Sequence, residues 1–482
     1  MENGNELKRT LGLYDATSIV AGSMIGSGIF IVTSQMARDV GSAGWLICLW
    51  LLTGLITVFA ALSYGELAGM MPNAGGQYVY IQRAYGKMIS FLYGWTVFTV
   101  IQTGVIAAVA VAFANYTAVF FPGLTETFIE LSDTFSITYA QLVAIGSIVA
   151  LTYINSRGVK SGKYIQLIFT SAKLFALFAL IVLGLAFGLK SNTFAANFEH
   201  MWEATKTSVY LKNVHFTTSL TGFALMGALG ATIINSLFSS DAWNNVTFIA
   251  SEIKDPKRNI PRSLFLGTLI VTVIYILANL AYLALLPISG DANDPTVIGK
   301  GIMYASQDRV GAAAASVMFG GFGVTLMALL IMISTFGCNN GLVLAGSRLF
   351  YAMSSDGLFF KRAQQLNKNN VPGIALWIQC IWASVLCLSG RYGDLLVYST
   401  FASLIFYILT IAGIFILRKK EPDTERPYKA FGYPYIPIIY ILVTSAICID
   451  LLIYDTKNAG LGLLIVFIGI PVYYFVNRNE VK

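Results

Sequence analysis

The sequence predicts an all-α polytopic membrane protein, and three observations carry the prediction. Apolar residues make up 56% of the chain and charged ones only 11%, and the apolar residues come in blocks. Several blocks reach bilayer length: about 20 apolar residues cross the hydrocarbon core as a helix, and Leu264 to Leu286 carries no charge at all. None of the blocks alternates polar with apolar, as the strands of a membrane barrel do. Helices are then the structure that satisfies every backbone group in lipid.

Taken in order, twelve spans are expected at about 13–36, 43–70, 90–121, 137–154, 163–188, 222–250, 263–287, 315–352, 374–390, 393–417, 434–454 and 459–477. Placing the N-terminus inside puts 22 of the 31 Lys and Arg residues on inner segments or at the inner ends of spans (Lys163 and Arg348) and 8 on outer segments, with Lys173 well inside a span. Short loops rich in Lys and Arg stay in the cytoplasm, so both termini are expected there. The net charge of +7 is therefore a topology signal, and no nucleic-acid partner is expected. The first residues do not form a signal peptide with a cleavage site, so the first span is expected to be retained. All five cysteines (Cys48, Cys338, Cys380, Cys387 and Cys448) fall inside predicted helices, and no structural disulfide is expected. Segments 122–134 and 418–429 read as solvated connectors. The long outer segment 190–221 holds both histidines, His200 and His215, and neither is assigned a role.

Spans 1 and 6 differ from the rest. Span 1 contains Gly22-Ser-Met-Ile-Gly26-Ser27-Gly28 at mid-membrane depth, and each glycine weakens a helix interior by about 1 kcal/mol relative to alanine. Close helix packing would also use small residues, but Gly-Ser-Gly in succession fits an interruption better than a four-residue packing repeat. Span 6 contains Phe238-Ser239-Ser240-Asp241-Ala242-Trp243-Asn244-Asn245, a polar run with a carboxylate in an apolar stretch. Interrupted spans at corresponding positions of two halves point to a transporter's binding site. The chain is thus expected to be a single transmembrane domain, 1–482. Its inverted repeats of five helices would cover about 11–190 and 220–418, with two additional helices at about 434–477. The repeat is inferred from the interruptions, not from visible identity.

Enzyme chemistry is excluded motif by motif. No G-x-S-x-G occurs, and two histidines 15 residues apart cannot form H-E-x-x-H. Gly158-Val-Lys-Ser-Gly-Lys-Tyr is one residue short of a phosphate-binding loop and ends wrongly, so ATP is not expected to drive the protein directly. No Cys/His cluster has metal-ligand spacing, and no cofactor is expected.

The two interruptions match the needs of an amino acid. A carboxylate seeks unpaired N–H donors, which the start of a half-helix presents with its positive dipole end. Ile25, Gly26, Ser27 and Gly28 stand where such a half-helix would begin, and glycine lets a ligand approach the backbone. An ammonium seeks carbonyls, which the end of the first half of span 6 would offer at Phe238, Ser239 and Ser240. Asp241 is an ionisable group inside a span, by default a functional candidate. It would hold a cationic or polar substrate side chain or take up a proton, or else only cap the second half-helix. Lys173 either snorkels to an interface or faces the bundle, its ammonium standing where ion-coupled carriers hold sodium. Phe238 and Trp243 are core aromatics or close over the ligand. Glu66 reads as a structural salt bridge or cap.

Several of these stretches resemble the amino acid–polyamine–organocation superfamily. Gly22-Ser-Met-Ile-Gly-Ser-Gly-Ile-Phe30 is similar to its first-helix motif. Tyr64-Gly-Glu-Leu-Ala, Pro72-Asn-Ala-Gly-Gly-Gln-Tyr-Val-Tyr80 and Tyr85-Gly86 look like its span 2 to span 3 signature. Asp241-Ala-Trp-Asn-Asn, Glu252-Ile-Lys-Asp-Pro-Lys-Arg-Asn-Ile-Pro261 and Gly346-Ser-Arg348 with Tyr351 and Asp356-Gly357 resemble the L-type amino acid transporter branch. The resemblance implies a leucine-transporter-type fold and alternating access. Gly26, Ser27 and Gly28 would take the substrate carboxylate; Phe238, Ser239 and Ser240 would take the amino group, Phe238 also serving as outer gate. Lys173 matches a span 5 lysine that implies sodium-independent exchange. Asp241 matches the position where branch members accepting cationic substrates carry Asp. Ser240 replaces a usual Tyr and Ala242 a usual Gly, so the side-chain pocket departs from the branch. Animal members that pair with a glycoprotein heavy chain carry a Cys between spans 3 and 4, and residues 121–137 have none. A stand-alone exchanger of neutral, and to some extent cationic, L-amino acids in a cell (inner) membrane is expected. A proton-coupled symporter is the alternative, and a channel or non-transporting sensor the alternative of another class.

Overall fold

The computed structural model describes residues 9–132, 135–211, 214–389 and 392–477. Among these, eleven helices are long and apolar enough to cross a membrane. The ninth expected span is also a helix, Gly373–Ser389, but a shorter one: it begins right after Pro372, which cannot donate into a preceding turn. Outward apolar side chains such as Leu55 on span 2, Phe178 on span 5 and Leu442 on span 11 are exposed. Such a surface suits lipid, whose tails are as apolar as the side chains.

Both expected interruptions are present. Span 1 is split into Leu13–Met24 and Gly28–Val40. Its start is fixed by Asp15, whose carboxylate accepts the Gly12 amide at 2.9 Å, and its end by Gly41, left-handed at φ 53°, as glycine allows without a Cβ clash. The first half of span 6 is Gly222–Ser239. Its second half is shorter than the expected limit of 250 suggests, a four-residue helix Asn245–Phe248 and a 3-10 turn Ala250–Glu252. Ala242 between them has φ 64°, a conformation that stops helix propagation at a non-glycine residue.

Two further irregularities were not expected. Span 3, Lys87–Thr117, carries a π-helical turn at Val97–Ile101, a feature frequent at functional sites. Span 8 starts at Val310 rather than 315 and holds a non-helical Gly320 (φ 60°, ψ −145°), which sets its first turns apart from the main helix. The connections after spans 3 and 5 are more ordered than connectors need be. Thr127–Ser132 pairs with Phe135–Thr138, and Thr205–Leu211 with Val214–Ser219, both antiparallel. Runs such as Thr205-Lys-Thr-Ser-Val-Tyr are rich in β-branched and aromatic residues, which explains the hairpins.

Candidate functional site

A helix that stops at Met24 leaves its last carbonyls without amide donors, and the structure supplies replacements. Lys173 Nζ donates to Gly22 O at 2.5 Å and to Ile25 O at 2.6 Å. Ser334 Oγ lies 3.3 Å from both Ile25 O and Gly26 O. Cys338 Sγ lies 3.0 Å from Ser23 O, and Tyr275 OH donates to Met24 O at 3.0 Å. Lys173 is 1% exposed. It does not snorkel to an interface; it holds the interruption of span 1 from within the bundle. A cation at a helix C-terminus also meets the negative end of the helix dipole. At the other side of the gap, Gly28 and Ile29 begin the second half-helix, whose first amides have no acceptor inside the helix.

The two interruptions are in contact. A Cβ added to Gly28 would lie 2.7 Å from Ser239 Cβ and 3.0 Å from Ser239 Cα, so only glycine permits this approach of helix start to helix end. Tyr275 ties them a second time, its hydroxyl lying 3.0 Å from both Met24 O and Ser239 O. Gly26 packs on Cys338, with 3.2 Å between a built Cβ and the sulfur. The glycines therefore serve close packing as well as interruption. Of the span 6 carbonyls, Phe238 O accepts the Asp241 amide at 3.1 Å, and Ser239 O lies 3.0 Å from the Tyr275 hydroxyl that it shares with Met24 O.

Asp241 does not cap the second half of span 6, where Asn244 holds the N-cap position. Its Oδ1 accepts the Tyr407 hydroxyl at 2.5 Å. Tyr407 OH also lies 3.3 Å from Asn244 Oδ1, Asn244 Nδ2 donates to Gln77 Oε1 at 2.8 Å, and Tyr93 OH donates to the same oxygen at 3.0 Å. A buried polar chain thus joins span 6 to span 10 and to the residues before and within span 3. Two cavities of about 20 Å³ flank Asp241, each with room for one water-sized molecule. One reaches the π turn of span 3 through Val97, Ile101 and Gln102; the other lies beside Ser240, Thr57 and Trp243. Trp243 stacks edge-on against Tyr64 at 4.7 Å and tilted against Tyr407 at 5.3 Å. It is a packed core aromatic and the wall of that second cavity. Phe238 is buried at the end of its half-helix.

Sequence reasoning missed Tyr275, Tyr407, Ser334 and Cys338. Tyr275 and Tyr407 stand inside uncharged runs where the only signal is a hydroxyl that must find a partner when buried.

Toward the end of span 6, polar ties are dense. Arg348 Nε donates to Glu252 Oε1 at 2.8 Å, with both side chains no more than 1% exposed. Glu252 O accepts the amides of Thr10 and Leu11 at 2.9 and 3.0 Å, fastening the segment before span 1. Glu66 receives Arg418 at 2.6 Å, Arg426 at 3.3 Å and the Ala430 amide at 2.7 Å, in keeping with its reading as a structural ion pair. Beside it, Arg83 holds the half-buried Glu421 carboxyl below its ordinary value by a hydrogen bond.

A bundle of membrane spans with two interrupted helices meeting at a buried polar centre is the architecture of a solute carrier. The chain belongs to the amino acid permease family, whose family model matches residues 11–475. It is 30% identical to the serine/threonine exchanger SteT of Bacillus subtilis over 482 residues, 99% of this chain and 98% of that one. It is 30% identical to the human large neutral amino acids transporter small subunit 2, covering 98% of this chain and 81% of that one. With the mouse b(0,+)-type amino acid transporter 1 it shares 29% identity, over 98% of this chain and 88% of the other. The expected superfamily and L-type branch are thereby met. The protein is a multi-pass amino acid transporter and not an enzyme.

Proposed function

We propose that the protein is a sodium-independent exchanger of neutral L-amino acids, working by alternating access on a leucine-transporter-type scaffold. The observation that carries this reading is the Lys173 ammonium at 2.5 and 2.6 Å from the Gly22 and Ile25 carbonyls. A fixed positive charge on these oxygens leaves no use for a sodium ion there. The substrate carboxylate meets Gly26, Ser27 and Gly28 at the start of the second half of span 1, with Ile25 beside them. The ammonium meets the carbonyls of Phe238, Ser239 and Ser240; Phe238 closes the site from outside and Trp243 bounds it below. The resemblance to a serine/threonine exchanger, and to carriers named for large neutral and b(0,+)-type amino acids, supports the substrate class. Asp241 admits some cationic side chains. The first five spans and spans 6 to 10 form the inverted repeats, about 11–190 and 220–418, with the helices at about 434–477 added to them. The Lys and Arg distribution supports cytoplasmic termini in a cell membrane. All five cysteines lie within spans, which supports operation without a disulfide-linked heavy chain.

Proteoliposome uptake across the proteinogenic amino acids, with and without internal substrate, tests the reading. Uptake is expected only with internal substrate and at equal rates in sodium and choline salts. A requirement for sodium, or equal uptake into empty vesicles, would overturn it. A proton-coupled symporter is the second reading, favoured by the buried carboxylate of Asp241. It predicts uptake into empty vesicles driven by an imposed pH gradient.

Asp241→Asn is expected to preserve the Tyr407 contact, since an amide oxygen accepts the same hydroxyl. It should lower uptake of lysine or arginine by roughly 10-fold to 100-fold, the scale of a lost charged hydrogen bond, while leucine uptake changes little. Equal loss for both would contradict a side-chain role.

A further inference from the structure

A cavity far larger than the two beside Asp241 lies away from the interruptions. It measures about 810 Å³ and opens where span 7 begins, between that helix, Leu62 of span 2 and the segment after span 10. Its wall carries four cations, Lys257, Arg258, Arg262 and Lys429, against one carboxylate, Asp255. Lys257 is paired to Glu425 at 2.8 Å; among the described residues Arg258, Arg262 and Lys429 have no ion-pair partner. The wall is built in place, because Glu66 grips the Ala430 amide at 2.7 Å and Tyr428 packs over Gly65.

The rest of the lining is apolar, with exposed Phe265 and Phe431. Directly below the cations, Phe265, Leu266, Leu269 and Val273 form an exposed stripe along span 7, beside the exposed Leu55 of span 2. Arg258 and Arg262 precede the uncharged run Leu264–Leu286, which places them at the membrane–water boundary. Cations at that height facing a cavity, above a stripe of lipid-facing side chains, match an amphiphile with a negative head.

We propose that this cavity holds the headgroup of an anionic phospholipid whose acyl chains lie along the outer face of span 7. The headgroup phosphate pairs with Arg258, Arg262 and Lys429, and the glycerol region rests on Phe265 and Phe431. Binding is read without transport, so its failure leaves the exchanger reading untouched.

The test is microscale thermophoresis of the detergent-purified transporter with dioctanoyl phosphatidylglycerol. Dioctanoyl phosphatidylcholine and glycerol 3-phosphate serve as comparators. Phosphatidylglycerol is expected to bind more tightly than either. Arg258→Gln/Arg262→Gln/Lys429→Gln should weaken it on the order of 100-fold, while Lys361→Gln/Arg362→Gln on another loop should bind as the parent does. If the triple variant is not monodisperse, Arg262→Gln alone is read the same way, with a loss of about fivefold. Undiminished binding by the variants, an equal loss in the control, or glycerol 3-phosphate binding as tightly as the lipid would overturn the proposal.

Discussion

Lys173→Ala is expected to reduce amino acid exchange by about 100-fold or more, because two charge-assisted hydrogen bonds disappear together. The ammonium is the donor for Gly22 O and one of two donors for Ile25 O. Without it, Gly22 O loses its donor, Ile25 O keeps only Ser334 at 3.3 Å, and the interruption of span 1 loses its positive anchor. Lys173→Arg should not rescue the loss, since the larger planar guanidinium has no room where the ammonium is 1% exposed. The measurement is the initial rate of counterflow in proteoliposomes, at equal protein incorporation. A purified Lys173→Ala protein exchanging at the parental rate would show that these contacts contribute nothing to transport.

Arg348→Ala is expected to cost about 3–5 kcal/mol of stability, the range for breaking a buried ion pair by removing one partner. Glu252 would remain 1% exposed and without its guanidinium, at the point where its carbonyl also receives the amides of Thr10 and Leu11. Glu252→Gln/Arg348→Gln should recover part of the loss, because no unpaired charge is left. Thermal unfolding in detergent reads both variants. An Arg348→Ala protein melting with the parent would mean that the pair does not hold the segment before span 1 to the end of span 6.

Much of this was legible in the sequence because membranes impose strong patterns. Apolar blocks gave the spans, and glycine and polar residues at mid-membrane depth gave both interruptions: Gly26–Gly28 and Ser240–Asp241 lie at the breaks. What stayed hidden depends on distant partners. Nothing in Phe169-Thr-Ser-Ala-Lys173 says whether the lysine points outward or onto Gly22 and Ile25, since that requires knowing how spans 1 and 5 pack. Tyr275 is one hydroxyl in an apolar run, and its bridge between Met24 and Ser239 exists only once spans 1, 6 and 7 have met. The π turn at Val97–Ile101 leaves no mark in local propensity. The late start of the second half of span 6, at Asn245, goes with the positive φ of Ala242, at a residue type that seldom adopts it.

The central claim is that one substrate is gripped at both ends, its carboxylate at the start of the second half of span 1 and its ammonium at the end of the first half of span 6. Competition against labelled substrate in proteoliposomes tests it, using the amino acid that the uptake panel finds best, its carboxamide and its deaminated acid. Neither analogue should compete at concentrations where the parent amino acid abolishes uptake. An analogue lacking one charged end that competes as well as the parent would contradict the paired grip.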